Sequence, residues 1–409
     1  MVDSVSIALI ISALIIFIGF LANYLFHKTG LPDMLILIFL GVFFGPVLDI
    51  FNPTLVMNFA PYIAALALAY ILFDGGMGLN IRHCLLNSPR AVLLAGLGFV
   101  FSVLSVGGLM VIVFKLPLVY GLLFGSMFGG SSSVAVISLA AKIKISEKGS
   151  TILILESAIT DILCVVISLS LLDVIITGHA NIGAIGLDIS GKFLIGAVIG
   201  LALGISWLFA LKRVATIPFS YMLTLGIVLL GYAGSESIGG SGALSALLFG
   251  LILGNEREIF KILRQNGKNG NGGNSEKIFL SVSKGLKRFG AEIAFLIRTF
   301  FFVFLGIIVS ISNLYILIVG VLLSLLLLVS RFGAVWIITL KSSLRKERKI
   351  MTLVLTRGLA AAVLATLPAQ YGLPYSDLFA GIAIIIIIMT ALVATIGSIV
   401  ISSKKVVKS

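Results

Sequence analysis

The chain has 409 residues, of which 59% are hydrophobic and 11% charged, with a formal net charge of +13 and a mean hydropathy of +1.21. Soluble domains carry about 25% charged residues, so this composition excludes a water-soluble fold and points to a polytopic membrane protein. Strand alternation is absent, which argues against a membrane β-barrel.

About thirteen apolar runs approach the roughly 20 residues that a spanning helix needs. In chain order the helices are expected at 5–26, 34–50, 57–76, 91–114, 118–141, 150–177, 192–211, 216–236, 240–254, 289–312, 314–340, 350–371 and 376–401. The expected fold is all-α and polytopic, one membrane unit over 1–409. The first run lacks a basic leader and a small-residue cleavage site, and reads as a retained helix rather than a signal peptide. Basic residues fall in alternate gaps: Lys28; Arg82 and Arg90; Lys142, Lys144 and Lys148; Lys212 and Arg213; a cluster from Arg257 to Arg288; and Lys341 to Lys349. The tail adds Lys404, Lys405 and Lys408, while the other gaps hold Lys115 and Lys192 alone. This alternation places the N-terminus outside and the C-terminus in the cytoplasm of a multi-pass cell-membrane protein. It also accounts for the positive balance, together with attraction to anionic membrane lipid. Nucleic-acid binding is not expected. Residues 255–288 read as a cytoplasmic linker loop, because QNGKNGNGGNSEK (265–277) has a flexible composition. Cys84 lies in a basic loop and Cys164 in a helix, a pattern that suggests neither disulfide nor metal site. No HExxH, P-loop or zinc spacing occurs, and no cofactor is expected.

Ionisable groups inside membrane helices are costly and are functional candidates. The densest cluster is Glu156, Ser157, Thr160 and Asp161 in TILILESAITDILCVV, residues 151–166. Glu156 and Asp161 lie about 140° apart around a helix. They are therefore expected to do different jobs, one pairing with a buried arginine and the other facing a water-filled cavity. Arg331 is the leading partner for Glu156, and Arg298 is the rival; either pair would serve to hold the fold. Asp74, Asp173 and Glu236 lie near helix ends, where capping or solvation suffices, and His27, His83 and His179 are loop or edge residues.

Two further stretches are interrupted by small residues: GSMFGGSSSVAV (125–136), containing Ser131 and Ser132, and TRGLAAAVLATLP (356–368), containing Arg357. Glycines and serines at membrane depth weaken a helix, and unwound backbone is tolerated there only beside protein or a cavity. These stretches fall in the fifth and twelfth helices, corresponding positions of two inverted repeats. Paired broken helices in inverted halves are a pointer to a transporter's midplane site.

The chain resembles the monovalent cation/proton antiporters, in particular sodium/proton exchangers of the NhaP type. The resemblance runs over nearly the whole length, through LPDMLILIFLGVFFGP (31–46), ILFDGGMGLNIR (71–82), SSSVAVISLAAK (131–142), ESAITD (156–161), GGSGALSALLFGLILGN (239–255), SRFGAVW (330–336) and TRGLAAAV (356–363). It implies that Asp161 carries cation and proton, that Ser157 is a coordinating hydroxyl, and that Glu156 pairs with Arg331. Thr160 stands where the family usually has asparagine. Ser131-Ser132-Ser133 replaces the usual Thr-Asp-Pro of the fifth helix, similar to the serine-rich crossing of Kef-type potassium/proton antiporters.

The resemblance implies exchange of Na⁺ or Li⁺, with K⁺ open, for H⁺ at Asp161, by alternating access and without net charge movement. Candidate cation and proton ligands are Asp161, Ser157, Thr160, Ser131 and Ser132; Arg298, the rival partner for Glu156, and Arg357 are secondary site candidates outside that ligand set. It further implies a transport core over 91–177 and 314–401, a scaffold over 5–76 and 192–312, and a homodimer. The alternatives are a sodium-coupled symporter of organic solutes, or a transport-inactive sensor or channel on the same fold. No nucleophile–base arrangement suggests an enzyme.

Overall fold

The computed structural model describes residues 4–29, 31–51, 53–78, 81, 89–132, 136, 145–178, 182–214, 219–256, 258–259, 273–308 and 314–406. These residues are helical almost throughout and contain no strand. In order, the helices are α1 (Ser4–Thr29), α2 (Asp33–Val42), α3 (Pro53–Gly78), α4 (Pro89–Phe114), α5 (Leu118–Met127), α6 (Glu147–Thr177), α7 (Ile182–Val214) and α8 (Ser220–Ser237). They continue as α9 (Gly242–Gly254), α10 (Gly273–Ile308), α11 (Leu314–Thr339), α12 (Arg348–Leu353), α13 (Leu359–Gln370) and α14 (Ser376–Val406). Seven of the described helices are long and apolar enough to cross a membrane, and five shorter apolar helices accompany them.

Every expected run overlaps these helices, but the expected 118–141 run stops as a regular helix at Met127, the expected 350–371 run is divided into α12 and α13, and three other runs differ in extent. α2 opens into a π-helical turn over Phe43–Val47, with Pro46 inside it. Proline removes a backbone donor and crowds the preceding turn, so the expected run to residue 50 stops early. α7 begins at Ile182, ten residues ahead of the expected 192. α10 begins at Gly273, so residues 273–288 of the expected linker are helical; most of its glycine-rich part, 260–272, lies outside the described residues, as do Ser133, Arg82, His83, Cys84 and His179.

The chain divides into two compact units. The first comprises Met1–Ala64, Pro89–Thr177 and Leu296–Ser409. Within it α4 packs against α5, α6 and α11, α13 against α6 and α5, and α14 against α11, α12 and α13. α4 and α5 cross with their backbones nearly touching: a Cβ on Gly107 would lie 2.6 Å from the Gly121 carbonyl oxygen. Lipid supplies no hydrophobic drive between helices, so small residues that permit such approach are what hold the crossing. The second unit comprises Ala65–Ser88 and Gly178–Phe295. There α7 packs along α9, and Gly196, Gly200 and Gly204 on one face of α7 admit Ser241, Ser245 and Ile252.

Candidate functional site

The site belongs to the first unit, where two helices stop within the apolar interior. α5 ends at Met127, and Gly130, Ser131 and Ser132 follow without helical structure. Helical bonding resumes with the Val136 amide donating to the Ser132 carbonyl. The second interruption runs from Val354 to Gly358, between α12 and α13. The two breaks meet. The Ser132 amide donates to the Thr356 carbonyl at 2.7 Å, and the Arg357 guanidinium donates to the Gly130 carbonyl. Gly358 is backed by Ser132, whose Cβ would lie 2.6 Å from any Cβ placed there. Freed backbone groups thus find partners on the opposite break, as low-dielectric surroundings demand.

α6 runs past this crossing and supplies the carboxylates. Glu156 is 1% exposed and Arg331, on α11, 4%. The guanidinium grips the carboxylate with both Nη groups, at 2.7 and 2.9 Å, a bidentate geometry specific to arginine. Arg331 Nε donates to the Met351 carbonyl at 3.3 Å, and the Ser131 hydroxyl donates to Glu156 at 3.1 Å. One ion pair therefore ties α6, α11, α12 and the α5 break together. Thr160 Oγ1 accepts the Ser131 amide at 3.4 Å and donates back to the Glu156 carbonyl at 3.0 Å. The Ser157 hydroxyl donates to the Ile154 carbonyl at 2.9 Å; each hydroxyl keeps lone pairs for a further partner.

Asp161 differs from Glu156 in exposure: it is half-buried, whereas Glu156, Ser157 and Thr160 are fully buried. Its turn of α6 is the one against which Gly130 packs, a Cβ there falling 3.1 Å from Cys164 Sγ and 3.2 Å from the Thr160 carbonyl. Arg357 lies within electrostatic reach of Asp161, Glu156 and Arg331. Thr356 Oγ1 and Arg357 Nε are buried without a hydrogen-bond partner among the described residues. Such atoms are uncommon, and both belong to the α12–α13 break.

Arg298 pairs with Asp33, 2.7 Å from Oδ2. Asp33 was not among the sequence candidates because the second helix was expected to start one residue later. The readable signal was an acid directly after Pro32 and before an apolar run, a helix-start pattern. Glu347 was also missed. Its carboxylate accepts the Ser146 amide at 3.1 Å and hydroxyl at 3.0 Å, fastening the α11–α12 turn to the start of α6. No group of three or more histidine, cysteine or acidic residues suited to a resident metal occurs among the described residues.

Residues 11–402 match the family described as "Sodium/hydrogen exchanger, transmembrane". The chain is 28% identical over 402 residues to the K(+)/H(+) antiporter NhaP2 of Shewanella sp. (strain MR-4), covering 96% of this chain and 66% of that protein. It is 24% identical to the K(+)/H(+) antiporter NhaP of Alkalimonas amylolytica, covering 95% of this chain and 65% of the relative. The chain thus spans slightly less than two thirds of the curated relatives' length. Its fold matches the sodium proton antiporter MjNhaP1 from Methanocaldococcus jannaschii with a TM-score of 0.80 at 22% identity, covering 98% of this chain and 99% of that one.

Proposed function

The chain belongs to the sodium/hydrogen exchanger family, and from that premise we propose that it exchanges a proton for a monovalent cation at Asp161. One observation carries the assignment of the carboxylate. Glu156 is consumed by Arg331 and Ser131, whereas Asp161 keeps accessible surface on the turn of α6 beside the crossed breaks. A buried bidentate pair is a poor exchanger, since removing either charge strands the other. A half-buried carboxylate can hold a proton or a cation in turn, and competition between the two couples their fluxes.

The cation's ligands in this reading are the Asp161 carboxylate, the lone pairs of Ser157 and Thr160, and Ser131, Ser132 and their backbone at the break. Oxygen donors of this kind suit a hard alkali cation. Each loaded state is locally neutralised and can cross; the empty ionised site is costly to move in hydrocarbon. One proton for one cation makes the exchange electroneutral. Where a second carboxylate is usual, Ser132 stands here, and K⁺ is the substrate named for the two curated relatives. We therefore place K⁺ beside Na⁺ and Li⁺ as a substrate. In this reading the moving core spans 91–177 and 314–401, the scaffold 5–76 and 192–312 forms a homodimer in the cell membrane, and the C-terminus is cytoplasmic.

The test is exchange in liposomes holding a pH dye, with the voltage clamped and Na⁺, Li⁺ or K⁺ added in turn. At least one cation should collapse the pH gradient, and Asp161→Asn should abolish the response. Wild-type rates in Asp161→Asn would refute the assignment.

A further inference from the structure

The turn between α11 and α12 carries a dense positive charge that the exchange site does not use. Lys341, Arg345, Lys346 and Lys349 are all exposed there, and Lys148, exposed in the first turn of α6, lies next to Gly149 at the Glu347 carboxylate. The turn is built rather than floppy. Leu344 is buried beneath it, the Ser342 hydroxyl accepts the Leu344 amide at 3.3 Å, and Glu347 is engaged by Ser146. Arg348 is likewise occupied, donating to Thr339 Oγ1 at 2.8 Å and lying 5.9 Å from the centroid of the Trp336 ring. Glu147 is the remaining exposed acid in the first turn of α6. The exposed lysines and arginines therefore project from a fixed frame in which their nearest acid, Glu347, already has partners.

An apolar stripe leads straight into this turn. Leu314, Ile318, Leu322, Leu325, Val329, Phe332, Trp336 and Leu340 recur every three or four residues and are all exposed large hydrophobics. That spacing places those from Leu314 to Trp336 on one face of α11, with Leu340 just past its end. Trp336 stands one turn of helix before the charges, the position at which tryptophan marks a membrane–water boundary.

We propose that the α11–α12 turn binds the headgroup of an anionic phospholipid whose acyl chains lie along the exposed stripe of α11. Cations directly at the end of a membrane helix attract anionic headgroups, and long lysine and arginine stems reach them while their methylenes stay on apolar surface. Because Glu347 joins this turn to the start of α6, the lipid sits on the same framework that carries Asp161.

Trp336 is a built-in reporter, since the chain has two tryptophans and Trp207→Phe removes the other. The protein would be reconstituted in phosphatidylcholine vesicles doped with either brominated phosphatidylglycerol or brominated phosphatidylcholine. At equal doping, brominated phosphatidylglycerol should quench Trp336 more strongly. Replacing Lys341, Arg345, Lys346 and Lys349 together by Gln should remove that preference, each lost charge lowering it by up to about fivefold. Raising salt from about 0.1 M to about 1 M, which shortens the screening length from about 10 Å to about 3 Å, should weaken it in the unmodified turn. Equal quenching by both headgroups, or a preference that survives neutralisation, would overturn the proposal. The salt series needs no charge variant, so the proposal stays testable if the fourfold variant misfolds.

Discussion

Glu156, with both carboxylate oxygens on Arg331, and Asp161, half-buried on the same helix, obey one rule with opposite outcomes. A charge in low dielectric is either fully partnered or kept near water. Glu156→Gln leaves the Arg331 guanidinium buried beside a neutral amide, and we expect a loss of about 3–5 kcal/mol, the cost of breaking one side of a buried pair. Thermal unfolding in detergent measures it, and adding Arg331→Gln should recover part of the loss. If Glu156→Gln left the melting temperature unchanged, the pair would not be holding these helices. The sequence made both carboxylates and their different faces readable from the 3.6-residue period. It left Arg331 and Arg298 as rival partners, because periodicity gives the face of a helix and not its neighbour. Asp33 settles Arg298 in the structure, and it escaped notice by lying one residue ahead of the expected helix.

Helices that break inside the membrane need something to receive their loose backbone. Here each break receives the other, through the Ser132 amide, the Thr356 carbonyl and the Gly130 carbonyl. Gly358 is extended, at φ −118° and ψ −155°, so what it supplies is space. Gly358→Ala would push against Ser132. We expect it to cost about 1–3 kcal/mol as an overpacking change and to slow exchange; unchanged exchange and melting temperature would show that the breaks can separate freely. Both interruptions were legible at membrane depth, the first as a glycine- and serine-rich run and the second as a small-residue stretch interrupted by Gly358. The early part of α10 was not. Gly and Asn in 265–277 dominated the reading, although Ile278, Val282, Leu286 and Phe289 keep a helical spacing. Low mean hydropathy hides a helix of this amphipathic kind from a search for membrane spans.

Across the whole molecule, the alternation of basic residues between gaps sets the expected orientation. With Cys84→Ser as background and Cys164 buried, a cysteine introduced as Lys346→Cys should react with an impermeant maleimide in inside-out vesicles only. One introduced as Lys115→Cys should react in right-side-out vesicles only. Labelling of both from the same side would break the assigned orientation. Proton release on cation binding shows whether cation and proton share Asp161. Purified protein in weakly buffered detergent, held at a pH where Asp161 is partly protonated, would receive K⁺ or Na⁺ while a dye follows the medium. Competition at a single carboxylate predicts acidification at saturation equal to the fraction of Asp161 protonated at the starting pH, never exceeding about one proton per chain, absent from Asp161→Asn and retained in the fourfold Lys/Arg→Gln turn variant. A wild-type chain that transports the cation without releasing a proton, or an Asp161→Asn chain that still releases one, would contradict it.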